Sequence, residues 1–269
     1  MSGNGMARTV KLASTRDGWG RELVASLPRS LRRVDDPMAD IVLIDGAGDW
    51  TATATQALAQ DARTMVVVEP GPVDQAALAM LADAVATAGA NVAMVAALAD
   101  NPALDGFRSL IDDAFGELVL DGGQGNNLAG VLLLQLHLLR AAGTEDLRLT
   151  TLAVSSVAFI IEGEGRIGAV VRRVRLTGAV GMGPARINVA AYAAAATARL
   201  SWRGDAVARP VEVTLADAAG LRTLPPIHES GQRNALRTLL ASPGAGRGSA
   251  VLRTFGLDLV QLQELLGAP

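Results

Sequence analysis

Apolar and polar positions follow two different rhythms along the chain. In roughly the first hundred residues, short and nearly continuous apolar runs are separated by alanine-rich stretches with helical spacing. Residues 9–14 (TVKLAS), 40–45 (DIVLID), 64–69 (TMVVVE) and 91–95 (NVAMV) read as strands. Residues 18–27, about 51–60 and 74–88 read as the helices between them. Strands without polar alternation are buried on both faces, which predicts a parallel sheet with helices on either side.

After about residue 115 the rhythm changes. A glycine-rich string at 121–127 (DGGQGNN) leads into an apolar helix at about 128–142. Long runs with strand character follow, at 148–162, 167–177, 187–192, 195–202 and 210–215. Residues 170–176 (VVRRVRL) alternate in part, as expected for a sheet with one covered and one available face. A helix at about 232–240, a loop at 242–249 (SPGAGRGS) and an amphipathic helix at 251–266 close the chain, with no internal repeat. The expected order is an α/β domain over residues 1–115, then an α+β domain over 116–269 with a large, mostly antiparallel sheet. The final helix is free to pack back on the first domain.

Composition narrows the chemistry. Half of the 269 residues are hydrophobic, 19% are charged and the net charge is −3, which places the chain among globular proteins. No concentrated basic face suggests a nucleic-acid partner. The longest apolar run, 128–139, is interrupted by Gln135 and His137 and is too short for a membrane helix. The N-terminus has no apolar signal core, so the expected location is the cytoplasm. Cysteine is absent, excluding disulfides, thiolate metal sites and a cysteine nucleophile. Lysine occurs once, at Lys11, and histidine twice, at His137 and His228. General acid–base and Schiff-base chemistry draw mainly on these residue types, so few candidates exist.

Several strings together carry a resemblance: VKLASTRDGWGRELVASL, ADIVLIDGAGDWTATATQAL, MVVVEPGPVDQAALAMLADAVATAGANVAMV and LAGVLLLQLHLLRAAG. In their order along the chain they resemble the Gfo/Idh/MocA family of NAD(P)-dependent sugar and polyol oxidoreductases. The resemblance implies a Rossmann domain followed by an α/β domain whose open sheet commonly packs against another subunit. The stretch from Gly20 to Asp40 is short for a helix and two further strands, so a truncated Rossmann-like sheet lacking about one βα unit is expected.

The resemblance also implies functional positions, and this chain departs from most of them. A dinucleotide turn needs G-x-G-x-x-G so that backbone amides reach the pyrophosphate. With Gly20 as the last glycine, Thr15 and Asp17 occupy the first two positions, and Asp17 adds negative charge beside a phosphate. A ribose-binding acid is expected after residues 31–34, where Asp35 and Asp36 stand; a turn is the alternative. After DIVLID the family carries a Thr-Pro loop ending in histidine; here Trp50 holds that place, behind Gly46 and Gly48 and the acids Asp45 and Asp49. Asp49 also suits an N-cap of the next helix. The family's Glu-Lys-Pro signature reads Glu69-Pro70-Gly71-Pro72, so the catalytic lysine is replaced by proline. The Asp-x-x-x-His pair falls on Leu128 and Leu132, and His137 lies about one and a half turns further on. His228 reads as a loop residue.

The residues left for catalysis are His137 and Glu69. Those left for a cofactor are Gly18, Gly20, Asp35, Asp36, Gly46 and Gly48. No metal site is expected, because two distant histidines without cysteine cannot supply a zinc ligand set. Neither a nucleophile elbow nor a P-loop is present. Arg172, Arg173 and Arg175 form either a positive patch or a ladder of cross-strand ion pairs.

Three readings follow. The first is a degenerate family relative acting as a structural or regulatory subunit without cofactor. It would assemble through its second sheet as a homo-oligomer, or as a hetero-oligomer with a full-length oxidoreductase, using residues such as Val154, Val157, Phe159, Val170 and Val174. The second is an NAD(P)-dependent oxidoreductase with rewired residues. The third is a small-molecule binding protein using the cleft between domains, with Trp50 in its wall.

Overall fold

The computed structural model describes residues 8–14, 31–35, 39–123, 127–181, 185–203, 210–241 and 248–267. The expected helix at 18–27, Gly18, Gly20, Asp36 and most of the 242–249 loop lie outside them. The chain divides into two compact units: Met1–Ala97 with Ser230–Val260, and Leu98–Glu229 with Gln261–Pro269.

The first unit is a five-stranded parallel sheet of order β2-β1-β3-β4-β5, formed by β1 (Arg8–Ala13), β2 (Leu31–Arg33), β3 (Ile41–Asp45), β4 (Thr64–Val68) and β5 (Asn91–Val95). A doubly wound dinucleotide sheet continues beyond its second strand with a third. Here the chain passes from β2 to β3 through residues 34–40 alone, too few for a helical crossover. Among the described residues the outermost strand and its helix are absent, the shortening expected from the sequence.

Helices α1 (Trp50–Ala59) and α2 (Gln75–Ala88) pack together on one face of this sheet. Each is started by an aspartate accepting from a first-turn amide, Asp49 from Ala52 N at 3.0 Å and Asp74 from Ala77 N at 2.8 Å. The other face buries Val10, Leu31, Ile41, Leu43, Val66, Val68, Ala93 and Val95. These pack against Ala235, Leu236 and Leu239, which lie on a C-terminal helix, Gly231–Ala241.

The second unit is an eight-stranded sheet of order β13-β12-β11-β10-β6-β9-β8-β7. Its strands are β6 (Glu117–Gly123), β7 (Thr144–Val154), β8 (Ala158–Ile167), β9 (Val170–Ala179), β10 (Arg186–Tyr192), β11 (Thr197–Arg203), β12 (Glu212–Asp217) and β13 (Gly220–Thr223). Among the described strands of this sheet, only β6 and β9 pair in parallel. Helices α3 (Ala103–Leu110) and α4 (Leu128–Ala141) pack on it, α3 against β11 and β12, α4 against β6, β7 and β9. The C-terminal helices are α5 (Gly231–Ala241) and α6 (Ser249–Leu266); α6 gives its residues through Val260 to the first unit and the rest to the second.

Three expectations change. The run 148–162 is a hairpin, because the Ser155 hydroxyl accepts from Val157 N and Ala158 N and turns the chain between β7 and β8. Gly168, at φ +60, ends β8 in a turn, so residues 167–177 are not one strand. The helix α3 had no counterpart in the sequence reading; its apolar residues Ala103, Leu104 and Phe107 make only a short stripe.

The sheet also sorts the residues offered for assembly. Phe159 and Val174 are 2% and 1% exposed, on the covered face, and are corrected as contact residues. Val154 and Val157 are exposed, with Leu152 and Ile160 nearby in the β7–β8 hairpin. Alternation along β9 separates the three arginines. Arg173 and Arg175 face outward in register with Glu164 and Glu162, and Arg175 Nε lies 2.7 Å from Glu162, a cross-strand ion pair. Arg172 turns inward and is 2% exposed; its guanidinium donates to the carbonyls of Asp112 and Phe115, the latter at 2.6 Å.

Replacing Arg172 orphans these carbonyls in the interior. Arg172→Met is expected to lower unfolding free energy by roughly 3 kcal/mol, and Arg173→Ala by less than about 0.5 kcal/mol. Urea denaturation of the two variants compares them directly.

Candidate functional site

In open α/β sheets, ligands sit outside the carboxyl ends of the strands where the winding reverses. In the first unit that place is the C-terminal ends of β1 and β3, since β2 lies on one side of β1 and β3 on the other. Asp45 ends β3 there and is 5% exposed. Its carboxylate accepts from Ser14 Oγ at 2.7 Å, just beyond β1, and from Ala47 N at 3.1 Å. A buried carboxylate thus bridges the two strand ends, a charge that opposes an anion at this point.

The loops after β3 and β4 hold each other. Gly46 N donates to Val68 O and Gly71 N donates to Gly46 O, both at 2.8 Å. A Cβ on Gly46 would lie 2.5 Å from Val68 O, so glycine is required by this close approach. Trp50, fully buried, donates from its indole Nε1 to Gly71 O at 3.0 Å and meets Phe255 edge-on with ring centroids 5.7 Å apart. A Trp50 so buried cannot wall a ligand cleft, which corrects that part of the third reading. The missed signal was Phe255 on the last helix, an aromatic placed by the chain's return to the first unit.

Glu69 follows β4 with φ +54. Its carboxylate accepts from Ala97 N at 2.6 Å and from Gln232 Nε2 at 3.3 Å, tying the ends of β4, β5 and α5 together. Pro70 beside it is buried. Asp49 is held below the usual carboxylate range by the Thr51 hydroxyl and the Ala52 amide. The carboxylates of these loops, Asp45, Asp49 and Glu69, are therefore all engaged in bonds within the unit. Gly48, at φ +64, faces open space beside the Asp49 cap. Asp35 stands just beyond β2, where a ribose-binding acid would be, with its side chain 96% exposed and 3.8 Å from Arg33.

In the second unit, Leu132 is wholly buried in α4 and Leu128 begins the helix, whose N-cap Asn127 accepts from Ala129 N. His137 sits on the same helix, half-buried. Burial, and then the neighbouring Arg140 charge, push its pKa down to about 4. At neutral pH such an imidazole is a weak base. His228 lies in the exposed segment before Glu229. The described residues contain no group of three or more histidines and acids placed to hold a metal ion. None of their helices is long and apolar enough to cross a membrane.

Neither a protein-family model nor a curated protein matches the sequence. Solved structures do match the fold. One is UDP-N-acetylglucosamine 3-dehydrogenase from Acidithiobacillus ferrooxidans, with TM-score 0.67 and 12% identity over 97% of this chain and 96% of that one. A mutant 3-ketoreductase from Actinomadura kijaniata, in complex with TDP-benzene and NADP, gives TM-score 0.70 and 12% identity over 97% and 98%. A dehydrogenase from Chromobacterium violaceum gives 0.69 and 12% over 96% and 94%. The chain has the fold of Gfo/Idh/MocA-type dehydrogenases and oxidoreductases, a Rossmann-like parallel sheet with a larger, mostly antiparallel one.

Two measurements probe this architecture. Gly46→Ala forces the β3 and β4 loops apart and is expected to cost about 2 kcal/mol of stability, read by thermal or urea unfolding. For His137, the folded pKa lies below the unfolded value of 6.5, so its contribution is complete above pH 6.5 and is lost as pH falls toward 4. At pH 5 that loss is roughly 2 kcal/mol. The pH 7 to pH 5 difference in urea midpoint should therefore be smaller in His137→Gln than in the parent.

Proposed function

We propose that this chain is a catalytically degenerate relative of the Gfo/Idh/MocA oxidoreductases, acting as a structural or regulatory subunit without a cofactor of its own. It assembles through the outer face of its second sheet, with another copy or with an active oxidoreductase of the same fold. The observation that supports this best is the sealed pair of loops after β3 and β4. Trp50 is buried where the resemblance implies a histidine, and Pro70 stands for the lysine. The three loop carboxylates hold backbone and hydroxyl groups. These residues do not fit a nicotinamide ring awaiting hydride transfer.

On the outer face, Glu164, Arg173, Glu162 and Arg175 give a charge pattern across adjacent strands beside the exposed Ile160, and Leu152, Val154 and Val157 add exposed apolar surface in the β7–β8 hairpin. Such a mixture suits an interface with an apolar core and a charged rim.

A second reading, an NAD(P)-dependent oxidoreductase with rewired residues, is favoured by one feature. Asp35 lies free of burial just past β2, where an acid would reach a ribose. Titration with NADH and NADPH, followed by energy transfer from the three tryptophans, separates the readings. No saturation up to about 1 mM cofactor is expected. A sub-millimolar Kd would restore the enzyme reading. In parallel, size-exclusion chromatography is expected to give an oligomer, alone or with a co-expressed relative; a monomer in both settings refutes assembly.

A further inference from the structure

Lys11 is the single lysine of the chain and lies in the middle of β1. Val10 and Leu12 beside it join the apolar cluster under α5, so Lys11 points to the opposite face, in register with Val42 and below the flank of α1. In a sheet that continues past its second strand, the return crossover runs over this side of the first strand. Here residues 34–40, which join β2 to β3, are too few for a helical crossover.

A cavity of about 140 Å³ remains at that flank. Its polar lining is Lys11, Thr53, Gln56 and Gln60, over an apolar floor that includes Val42 and Ala57. Among the described residues no carboxylate lines it. Lys11 is partly buried, and among the described residues its ammonium has neither an ion-pair nor a hydrogen-bond partner. The side chains of Thr53, Gln56 and Gln60 likewise make no hydrogen bond among them. A cation set beside neutral polar groups attracts something of opposite charge. One hydroxyl and two amides beside it supply further donors.

We propose that this cavity binds a small oxyanion, the size of a phosphate or a carboxylate group. Lys11 supplies the charge, and Thr53, Gln56 and Gln60 of α1 supply hydrogen bonds. The site lies on the α1 face of the sheet and is separate from the strand ends where Asp45 and Glu69 stand. It does not depend on whether the chain retains a cofactor.

The test uses the full chain with isotope-labelled lysine, whose side chain gives one set of NMR signals because there is one lysine. Phosphate and formate are titrated separately at constant ionic strength, with chloride as balance. A saturable shift of the Lys11 signal is expected, with half-saturation near about 5 mM for at least one of the two anions. Thr53→Val should weaken it about tenfold, the value of one hydrogen bond to a charged group. Gln56→Glu, on the exposed side of α1, sets an acid beside Lys11 and should abolish the shift while leaving the fold intact. Phosphate alone points to a tetrahedral ligand, formate alone to a planar one, and either supports the site. A shift that stays linear to about 100 mM for both anions, or saturation that Gln56→Glu leaves unchanged, overturns it.

Discussion

The passage from β2 to β3 is the constraint from which much of the first unit follows. These strands lie on opposite sides of β1, and residues 34–40 must carry the chain across it. A helical crossover between parallel strands takes about a dozen residues, so none is built there. The sheet stops at β2, and the charged Arg32 and Arg33 stand on its short edge strand, a composition that discourages pairing with another chain. On the α1 side, a cavity lies at the flank of β1 beside Lys11.

The strand ends nearest the winding reversal are closed by bonds made within the unit. Asp45 joins β1 to β3 through Ser14, and Gly46 lets two loops approach at backbone distance. Trp50 fills the space behind them against Phe255. In a catalytic site of this kind the groups are held ready for a ligand. Here the polar groups satisfy each other, and these internal bonds underlie the proposal of a non-catalytic subunit.

The second unit separates its two faces by strand alternation. Phe159, Ile161, Val174 and Leu176 go to the helices, while Glu162, Glu164, Arg173 and Arg175 pair across the outer face. Arg172 is the exception, an inward arginine whose terminal guanidinium nitrogens donate to carbonyls of the loop before β6. The neighbouring solved structures are alike in fold at 12% identity, which fits a scaffold maintained by burial pattern while individual side chains differ.

By itself the sequence determined the order and type of most elements, because buried parallel strands and amphipathic helices leave distinct periods in the apolar residues. It also determined the shortened first sheet and the residues Trp50, Pro70 and Leu132 where the resemblance implies other side chains, which are matters of identity and spacing. Tertiary structure decided the rest. Whether Trp50 lines a cleft or fills a core depends on Phe255, about two hundred residues away in the chain. The face each residue of 148–162 takes depends on a turn at Ser155 that alternation alone does not reveal, since one displaced residue reverses every side chain after it. The role of Glu69 depends on the Ala97 amide and on Gln232, brought to it only when β5 and α5 are in place. Periodicity records how much of a side chain is buried; which groups meet is decided by long-range packing.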